Sequence, residues 1–139
     1  MATFTKKIIV QKDDIDVNGH VSNVRYLEWF MSSAVEHSDF LGVGVETLGQ
    51  VNRTWVAKEH HISYKQSAFE GDELILKTWV DSVKTAQSIR KYELYNSKND
   101  KIVCEGWTNW VFVETQTYRP CKIPNELIEK YLVEKENHT

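Results

Sequence analysis

The segment from Asp14 to Tyr26 reads DIDVNGHVSNVRY and stands directly before a stretch with helical periodicity. It places two acids, an asparagine, a glycine and a histidine in one short turn. Backbone N–H groups at a helix N-terminus have no partner within the helix, so they can stabilise negative charge. A carboxylate beside such donors can attack a carbonyl, or activate water against it, while the donors take up charge on the carbonyl oxygen. The turn is therefore the first candidate for chemistry in this chain.

The same residue types also match the beginning of a calcium-binding loop. Asp14, Asp16, Asn18 and Gly19 occupy positions one, three, five and six of an EF-hand loop, but the twelfth position is Arg25. That position requires a bidentate glutamate, so a cation there disfavours calcium. The histidines lack the i, i+4 spacing of a helical zinc site, and no cysteine pair accompanies them. The sequence predicts no metal and no cofactor.

A plain helix cap is the other interpretation of the turn. Ser22 or Asn23 could cap the following helix, and Asp16 could accept hydrogen bonds from nearby backbone. A cap accounts for one or two of the polar residues, but less well for His20 and for the density of groups able to activate water. The residues alone leave a capping turn and a catalytic turn both open.

The remainder of the chain predicts an α+β domain. Apolar residues repeat at steps of three and four from Asn23 to Phe40 and predict a helix there, namely at Val24, Leu27, Met31 and Ala34 or Val35. The aromatic residues Tyr26, Trp29 and Phe30 widen its apolar side, so the helix should be largely buried. Alternating residues predict strands, and Pro124 opens a short amphipathic helix. The predicted strands lie within residues 1–10, 55–64, 73–80, 88–95 and 102–113, and the last helix at 125–135. One long helix followed by antiparallel strands indicates a sheet wrapped around that helix.

The aromatic residues of the strands predict a second covered surface. Trp79, Trp107, Trp110 and Phe112 cannot all face one helix. Some of them should therefore cover the opposite face of the sheet, where a partner subunit is the natural candidate.

The composition indicates one ordinary globular domain spanning residues 1–139. Hydrophobic residues make up 41% and charged residues 27% of the chain, and the formal net charge is −3. This balance gives no global attraction to nucleic acid. We find no signal peptide and no apolar run of membrane-spanning length, so we expect no membrane association and a cytoplasmic location, with Cys104 and Cys121 as free thiols.

The pattern D-x-D-x-x-G-H-V-x-N-x-x-Y before a helix resembles the signature of the hotdog-fold thioesterases. These comprise the 4-hydroxybenzoyl-CoA thioesterase-like acyl-CoA hydrolases and the related acyl-carrier-protein thioesterases. Weaker similarities follow at Ile62 to Tyr64, at Gly71-Asp72, at Trp110 to Val113 and at Arg119 to Pro124, so the resemblance covers nearly the whole chain. One departure is Ser22, where many relatives carry asparagine.

The resemblance implies hydrolysis of an acyl-CoA thioester to free acid and CoA. It assigns the essential carboxylate to Asp16, as nucleophile or general base, with His20 and Asn23 as further catalytic candidates. Backbone N–H groups of Gly19, Val21 and Ser22 are the expected oxyanion donors. It also implies a homodimer or a tetramer built from dimers, with the active site at the dimer interface and Tyr64 contributed by the second subunit.

Substrate contacts follow from the same resemblance. The acyl group should lie beside the long helix, near Tyr26 and Phe30. Local cations should meet the CoA nucleotide, and Arg119 is the preferred candidate because it lies in the family-like segment. The other cations considered are Lys58, Lys65, Arg90, Lys91 and Lys122. The alternatives are an acyl-carrier-protein thioesterase and a non-catalytic acyl-binding hotdog module.

Overall fold

The computed structural model describes residues 2–133, which form a five-stranded sheet and three α-helices. The elements in chain order are β1 (Thr3–Ile9), a 3-10 turn (Lys12–Asp14), α1 (Asn23–Phe40), α2 (Val45–Gly49), β2 (Arg53–Tyr64), β3 (Glu73–Val83), β4 (Gln87–Asn96), β5 (Ile102–Glu114) and α3 (Asn125–Val133). The predicted elements all form, and α2 and the 3-10 turn are additional. The predicted end of the last helix, at 134–135, lies outside the described residues.

The strands pair antiparallel in the order β1-β3-β4-β5-β2, which confirms the predicted α+β class. The helix α1 packs against one face of this sheet. Both β1 and β2 are edge strands of the described sheet, and β2 is the longer of the two, with 12 residues. Its outer edge therefore presents a row of backbone groups that could pair with another strand.

The buried face of α1 agrees with the predicted apolar side at the aromatic residues and Ala34, and differs from it at Val24. Tyr26, Phe30, Ala34 and His37 are buried, whereas Val24 is 66% exposed. Both sets follow the helical period, but the large aromatic side chains bury more apolar area than valine does and so determine which face turns inward. Ser22 begins the helix, since its Oγ accepts a hydrogen bond from the Val24 N–H at 3.3 Å.

Two hydrophobic clusters lie along α1. The first surrounds the beginning of the helix, where Phe30 stacks on Tyr92 with ring centroids 4.6 Å apart. The second surrounds Phe112 and Tyr131 at the other end of the sheet, and α3 contributes to it. The clusters place hydrophobic contacts at both ends of α1, so the helix is held along its length.

The aromatic strand residues do divide between two faces. Trp110 and Phe112 pack into the clusters on the α1 side, while Trp79 and Trp107 are half-buried on the opposite face. Trp107 stacks there on His61 at 5.8 Å. The partner subunit expected on that face stays a prediction.

Gly106 allows β2 to approach β5 closely. A Cβ at this position would clash with the backbone carbonyl oxygen of His61 and lie 3.2 Å from the Cα of Ile62. Nearer the start of β2, the register between β2 and β5 shifts between Ala57 and Glu59, and such bulges bend a strand. The end of β2 thus reaches the start of α1, where Tyr64 lies against Tyr26.

Candidate active site

The turn before α1 fixes the Asp16 carboxylate by one oxygen. Asp16 Oδ1 accepts a hydrogen bond from the Asn18 N–H at 2.8 Å, and the Gly19 N–H donates to the Asp16 carbonyl oxygen at 3.0 Å. Gly19 has a φ of +84°, a conformation that glycine adopts without steric cost. Within residues 2–133, the second oxygen, Oδ2, has no hydrogen-bond partner. Asp16 therefore combines a fixed orientation with a free carboxylate oxygen.

The neighbouring acid, Asp14, is fully engaged in holding the turn together. Its Oδ1 lies 3.0 Å from Arg25 Nε, and its Oδ2 accepts a hydrogen bond from the Gln11 N–H at 2.8 Å. Its carbonyl oxygen accepts the Ser22 N–H at 3.0 Å, and Arg25 also donates to the carbonyl of Asp13 at 3.1 Å. Of the two acids in the D-x-D pattern, only Asp16 has an oxygen available for chemistry. Arg25, which disfavoured calcium in the sequence, braces the turn.

The three predicted oxyanion donors already donate to other backbone carbonyls. The Gly19 N–H bonds to Asp16, the Val21 N–H bonds to the carbonyl of Ala68 at 2.9 Å, and the Ser22 N–H bonds to Asp14. In the described part of the chain, the N–H groups of His20 and Asn23 have no such acceptor. The donors free in this arrangement thus lie one position away from the predicted ones, in the same turn. Sequence could not separate them, because the pairing depends on which carbonyls the loop at Ala68 presents.

Within residues 2–133, the side chains of His20 and Asn23 make no hydrogen bond to Asp16. The His20 ring makes an edge contact with Phe69 at 6.4 Å, and its carbonyl oxygen accepts the Asp16 N–H at 3.0 Å. Asn23 is exposed and leaves the capping role to Ser22. Their predicted catalytic roles stay predictions.

Tyr64 reaches the site from its own chain. Its hydroxyl donates to the Asn23 carbonyl oxygen at 3.5 Å, and its ring lies 5.7 Å from that of Tyr26. Burial raises the pKa of Tyr64, and it raises that of Tyr26 to about 12, so both hydroxyls are protonated donors at neutral pH. The resemblance implied that the second subunit would contribute Tyr64. Within one subunit, β2 brings Tyr64 to the start of α1, and its expected contribution to a second subunit's site stays a prediction.

Exposed apolar side chains surround the Asp16 turn. Val17 is 101%, Val24 66% and Phe69 52% exposed, and Tyr64 stands beside them at 47%. Apolar side chains grouped around a polar centre indicate a surface that binds another molecule.

A cavity of about 240 Å³ lies farther along α1, bordered by Ala34 and Ser38. Tyr26 and Phe30, the predicted acyl contacts, precede it and are buried in the first hydrophobic cluster at 2% and 1% exposure. One cation considered for CoA, Arg90, lines this cavity and is itself only 3% exposed. Its side chain is thus on the inner face of the sheet, away from the solvent where a nucleotide would lie.

Arg119 is exposed, but it follows the end of β5 that pairs with the start of β2. Tyr64 and the Asp16 turn lie at the other end of β2, and a 12-residue strand spans roughly 36 Å. Within one subunit Arg119 therefore does not reach the turn. Lys65 and Lys91 are paired at the surface with Glu105 and Asp81, at 3.7 and 3.6 Å.

No cluster of three or more His, Cys, Asp or Glu residues suited to a metal ion occurs in residues 2–133. No helix in that part of the chain combines the length and apolar character that crossing a membrane requires.

Comparison with known proteins identifies the fold as a hotdog fold. A putative oleoyl thioesterase from Lactobacillus plantarum superimposes with a TM-score of 0.88 at 15% identity, covering 99% of this chain and 54% of that one. A 1,4-dihydroxy-2-naphthoyl-CoA thioesterase from Synechocystis gives 0.86 at 15% identity, covering 95% and 97%. The prediction of one antiparallel sheet wrapped on a long helix is confirmed.

The family follows from the sequence. The model of the acyl-ACP thioesterase N-terminal domain matches residues 1–131, and the chain belongs to that family. The chloroplastic oleoyl-acyl carrier protein thioesterase 1 of Arabidopsis thaliana is 21% identical over 138 residues, covering 94% of this chain. The chain spans 38% of that relative and about half of the Lactobacillus protein, at 54%.

Proposed function

We propose that the chain hydrolyses acyl thioesters, with acyl-CoA as the substrate and Asp16 as the essential carboxylate. The observation that carries the proposal is the Asp16 side chain itself: one oxygen is held by the Asn18 N–H at 2.8 Å, while the other is free. The free N–H groups of His20 and Asn23 belong to the same turn, at the start of α1. Membership of a thioesterase family agrees with this chemistry.

The mechanism needs only these groups. The thioester carbonyl oxygen accepts hydrogen bonds from the free N–H groups, and the positive end of the α1 dipole adds to their effect. Asp16 Oδ2 then attacks the carbonyl carbon, the C–S bond breaks, and the thiolate leaves with the electron pair. Water hydrolyses the resulting anhydride and returns the carboxylate. In the general-base form, Oδ2 instead takes a proton from a water molecule while the oxygen of that water attacks the same carbon. The C–S bond again breaks, and the thiolate leaves with the electron pair.

A homodimer that pairs through β2 fits this site. A two-fold axis would place the β2 edges antiparallel, so that the start of one strand lies near the end of the other. The partner subunit's Arg119, which lies near the start of that subunit's β2, would then approach the Asp16 turn. This arrangement would restore the predicted role of Arg119 and cover the exposed apolar residues around the turn.

The matched pair Asp16→Asn and Asp13→Asn tests the catalytic role. Asparagine at 16 keeps an oxygen for the Asn18 N–H, so the substitution removes the charge and spares the turn. We expect Asp16→Asn to lower kcat by about 10²–10⁴-fold in a free-thiol assay with acyl-CoA substrates. Asp13 is exposed, and Asp13→Asn should retain wild-type activity. Full activity of a folded Asp16→Asn would refute the mechanism.

A second candidate substrate is acyl-acyl carrier protein, which the matching family and the Arabidopsis relative favour. Acyl-CoA and acyl-carrier protein bearing the same acyl group should be compared by kcat/KM. A preference of tenfold or more for the carrier protein, weakened by salt, would indicate that the protein docks an acidic carrier. Stable binding of both without turnover would favour an acyl-binding module.

A further inference from the structure

The cavity beside α1 has apolar walls and one charged lining residue. Its walls include Ala34, Val35, Leu48, Trp55 and Val80, and Arg90 supplies the charge. Two of its other polar groups satisfy each other, since Ser38 Oγ and the Tyr131 hydroxyl are 2.7 Å apart. The hydrogen-bonding capacity of Arg90, in contrast, is only partly met by its neighbours.

The Arg90 guanidinium has no carboxylate partner among residues 2–133. Both of its hydrogen bonds leave from Nη1, to His37 Nδ1 at 2.9 Å and to Thr78 Oγ1 at 3.1 Å. The Tyr131 ring lies 5.5 Å away. These are neutral partners, and they leave donors on Nε and Nη2. His37 is neutral because burial, with the Arg90 charge second, lowers its pKa to about 3.

A buried charge without an opposite charge costs several kcal/mol, so such a group usually binds an anion or a strong acceptor. Guanidinium matches a carboxylate best, because its planar donors can bind both oxygens at once. The walls of the cavity, by contrast, suit a hydrocarbon chain. The two features together describe a chain that ends in a carboxylate.

The distance along α1 between the Asp16 turn and the cavity matches the length of an acyl chain. From Asn23, at the start of α1, to Ala34, at the edge of the cavity, the helix rises about 16 Å over eleven residues. An extended acyl chain of medium length covers that distance. Its thioester end would lie at the turn and its far end in the cavity.

We propose that the acyl group carries a carboxylate at its far end, bound by Arg90, so that the preferred substrates are mono-thioesters of linear dicarboxylic acids. This inference rests on the proposed hydrolysis, because it names the substrate class of the same site. It also gives the buried cation a function that its internal partners leave unexplained.

A binding measurement tests the cavity independently of turnover. Decanoate and decanol differ only in the head group, and the fluorescence of Trp55 and Trp110, which line the cavity, can report their binding. We expect decanoate to bind wild-type protein at least about tenfold more tightly than decanol. Arg90→Met should abolish this difference. Lys77→Met, a matched loss of positive charge on the opposite face of the sheet, should preserve it.

A turnover measurement then tests the substrate class. Wild-type kcat/KM should be at least about tenfold higher for a carboxyl-terminated acyl-CoA than for the methyl-terminated one of equal length, and Arg90→Met should remove that preference. Equal binding of decanoate and decanol by wild type would overturn the inference even if Arg90→Met fails to fold. So would a wild-type preference for the methyl-terminated substrate, although hydrolysis itself would then stand. Absence of turnover with every substrate would refute the proposed function, and the binding comparison would still decide what Arg90 recognises.

Discussion

Replacing Gly19 by alanine should destabilise the protein through backbone conformation alone. The residue has a φ of +84°, and a Cβ built there would have no heavy atom within 4 Å. Steric conflict with neighbouring side chains is therefore absent, and the cost is that of placing an L-residue in the left-handed region, about 1–2 kcal/mol. The unfolded chain loses conformational freedom at the same time, which offsets about 0.4–1 kcal/mol. We expect Gly19→Ala to lower the free energy of unfolding by about 1 kcal/mol.

Gly49 provides the matched control for this substitution. It lies in α2 outside the left-handed region, and a Cβ there likewise meets nothing within 4 Å. Gly49→Ala should stabilise the protein by about 0.5–1 kcal/mol, through helix propensity and the unfolded state. The two alanine variants should thus differ by about 2 kcal/mol, although each adds the same methyl group in open space.

Urea unfolding followed by tryptophan fluorescence measures this difference directly. The slope m should remain that of wild type, because neither substitution changes the surface exposed on unfolding. Gly19→Asn should recover part of the loss, since asparagine tolerates the left-handed region better than alanine does. Equal stability of Gly19→Ala and Gly49→Ala would show that the turn does not require the conformation described, and the placement of Asp16 would lose its basis.

Two further predictions concern buried titratable groups. Because the folded-state pKa of His37 is about 3, the unfolded chain binds more protons between pH 3 and 6.5. The stability that neutral His37 contributes is fully present above pH 6.5 and is lost as the pH falls, by about 2 kcal/mol between pH 6.5 and 5. His37→Gln should flatten the dependence of the free energy of unfolding on pH over that range, measured by urea unfolding. Burial raises the pKa of the Cys104 thiol to about 12, so this residue should resist iodoacetamide at pH 8 in folded protein, while the more exposed Cys121 reacts. Equal labelling of the two thiols, measured by mass spectrometry, would contradict the packing at Cys104.

Most of the architecture is predictable because its patterns are long. The helix at Asn23–Phe40 and most of the alternating strands extend over ten or more residues, so local periodicity is clear. The five residues of α2 are too few to establish a helical period, and the sequence does not predict that helix. Nor does it predict the exposure of Val24, because competition between two apolar faces is decided by packing.

The resemblance selects the residues of the candidate site, but the sequence does not give their contacts. The family resemblance assigns the essential carboxylate to Asp16, but the sequence does not reveal that the N–H groups of Gly19, Val21 and Ser22 are already bonded to backbone carbonyls. The burial of Arg90 does have a signal, since it alternates in phase with Tyr92 and Leu94, which point inward. A charged residue at an inward position is easily interpreted as a surface cation, because charge usually outweighs position.

The two oxygens of Asp16 separate what the fold requires from what the proposed reaction requires. The turn uses only the acceptor held by the Asn18 N–H, and an asparagine amide offers the same acceptor. A descendant of this sequence could therefore lose its charge at position 16 by a single substitution and keep its shape. A homologue can therefore keep this fold without keeping the proposed reaction. The residue at position 16 distinguishes the two cases.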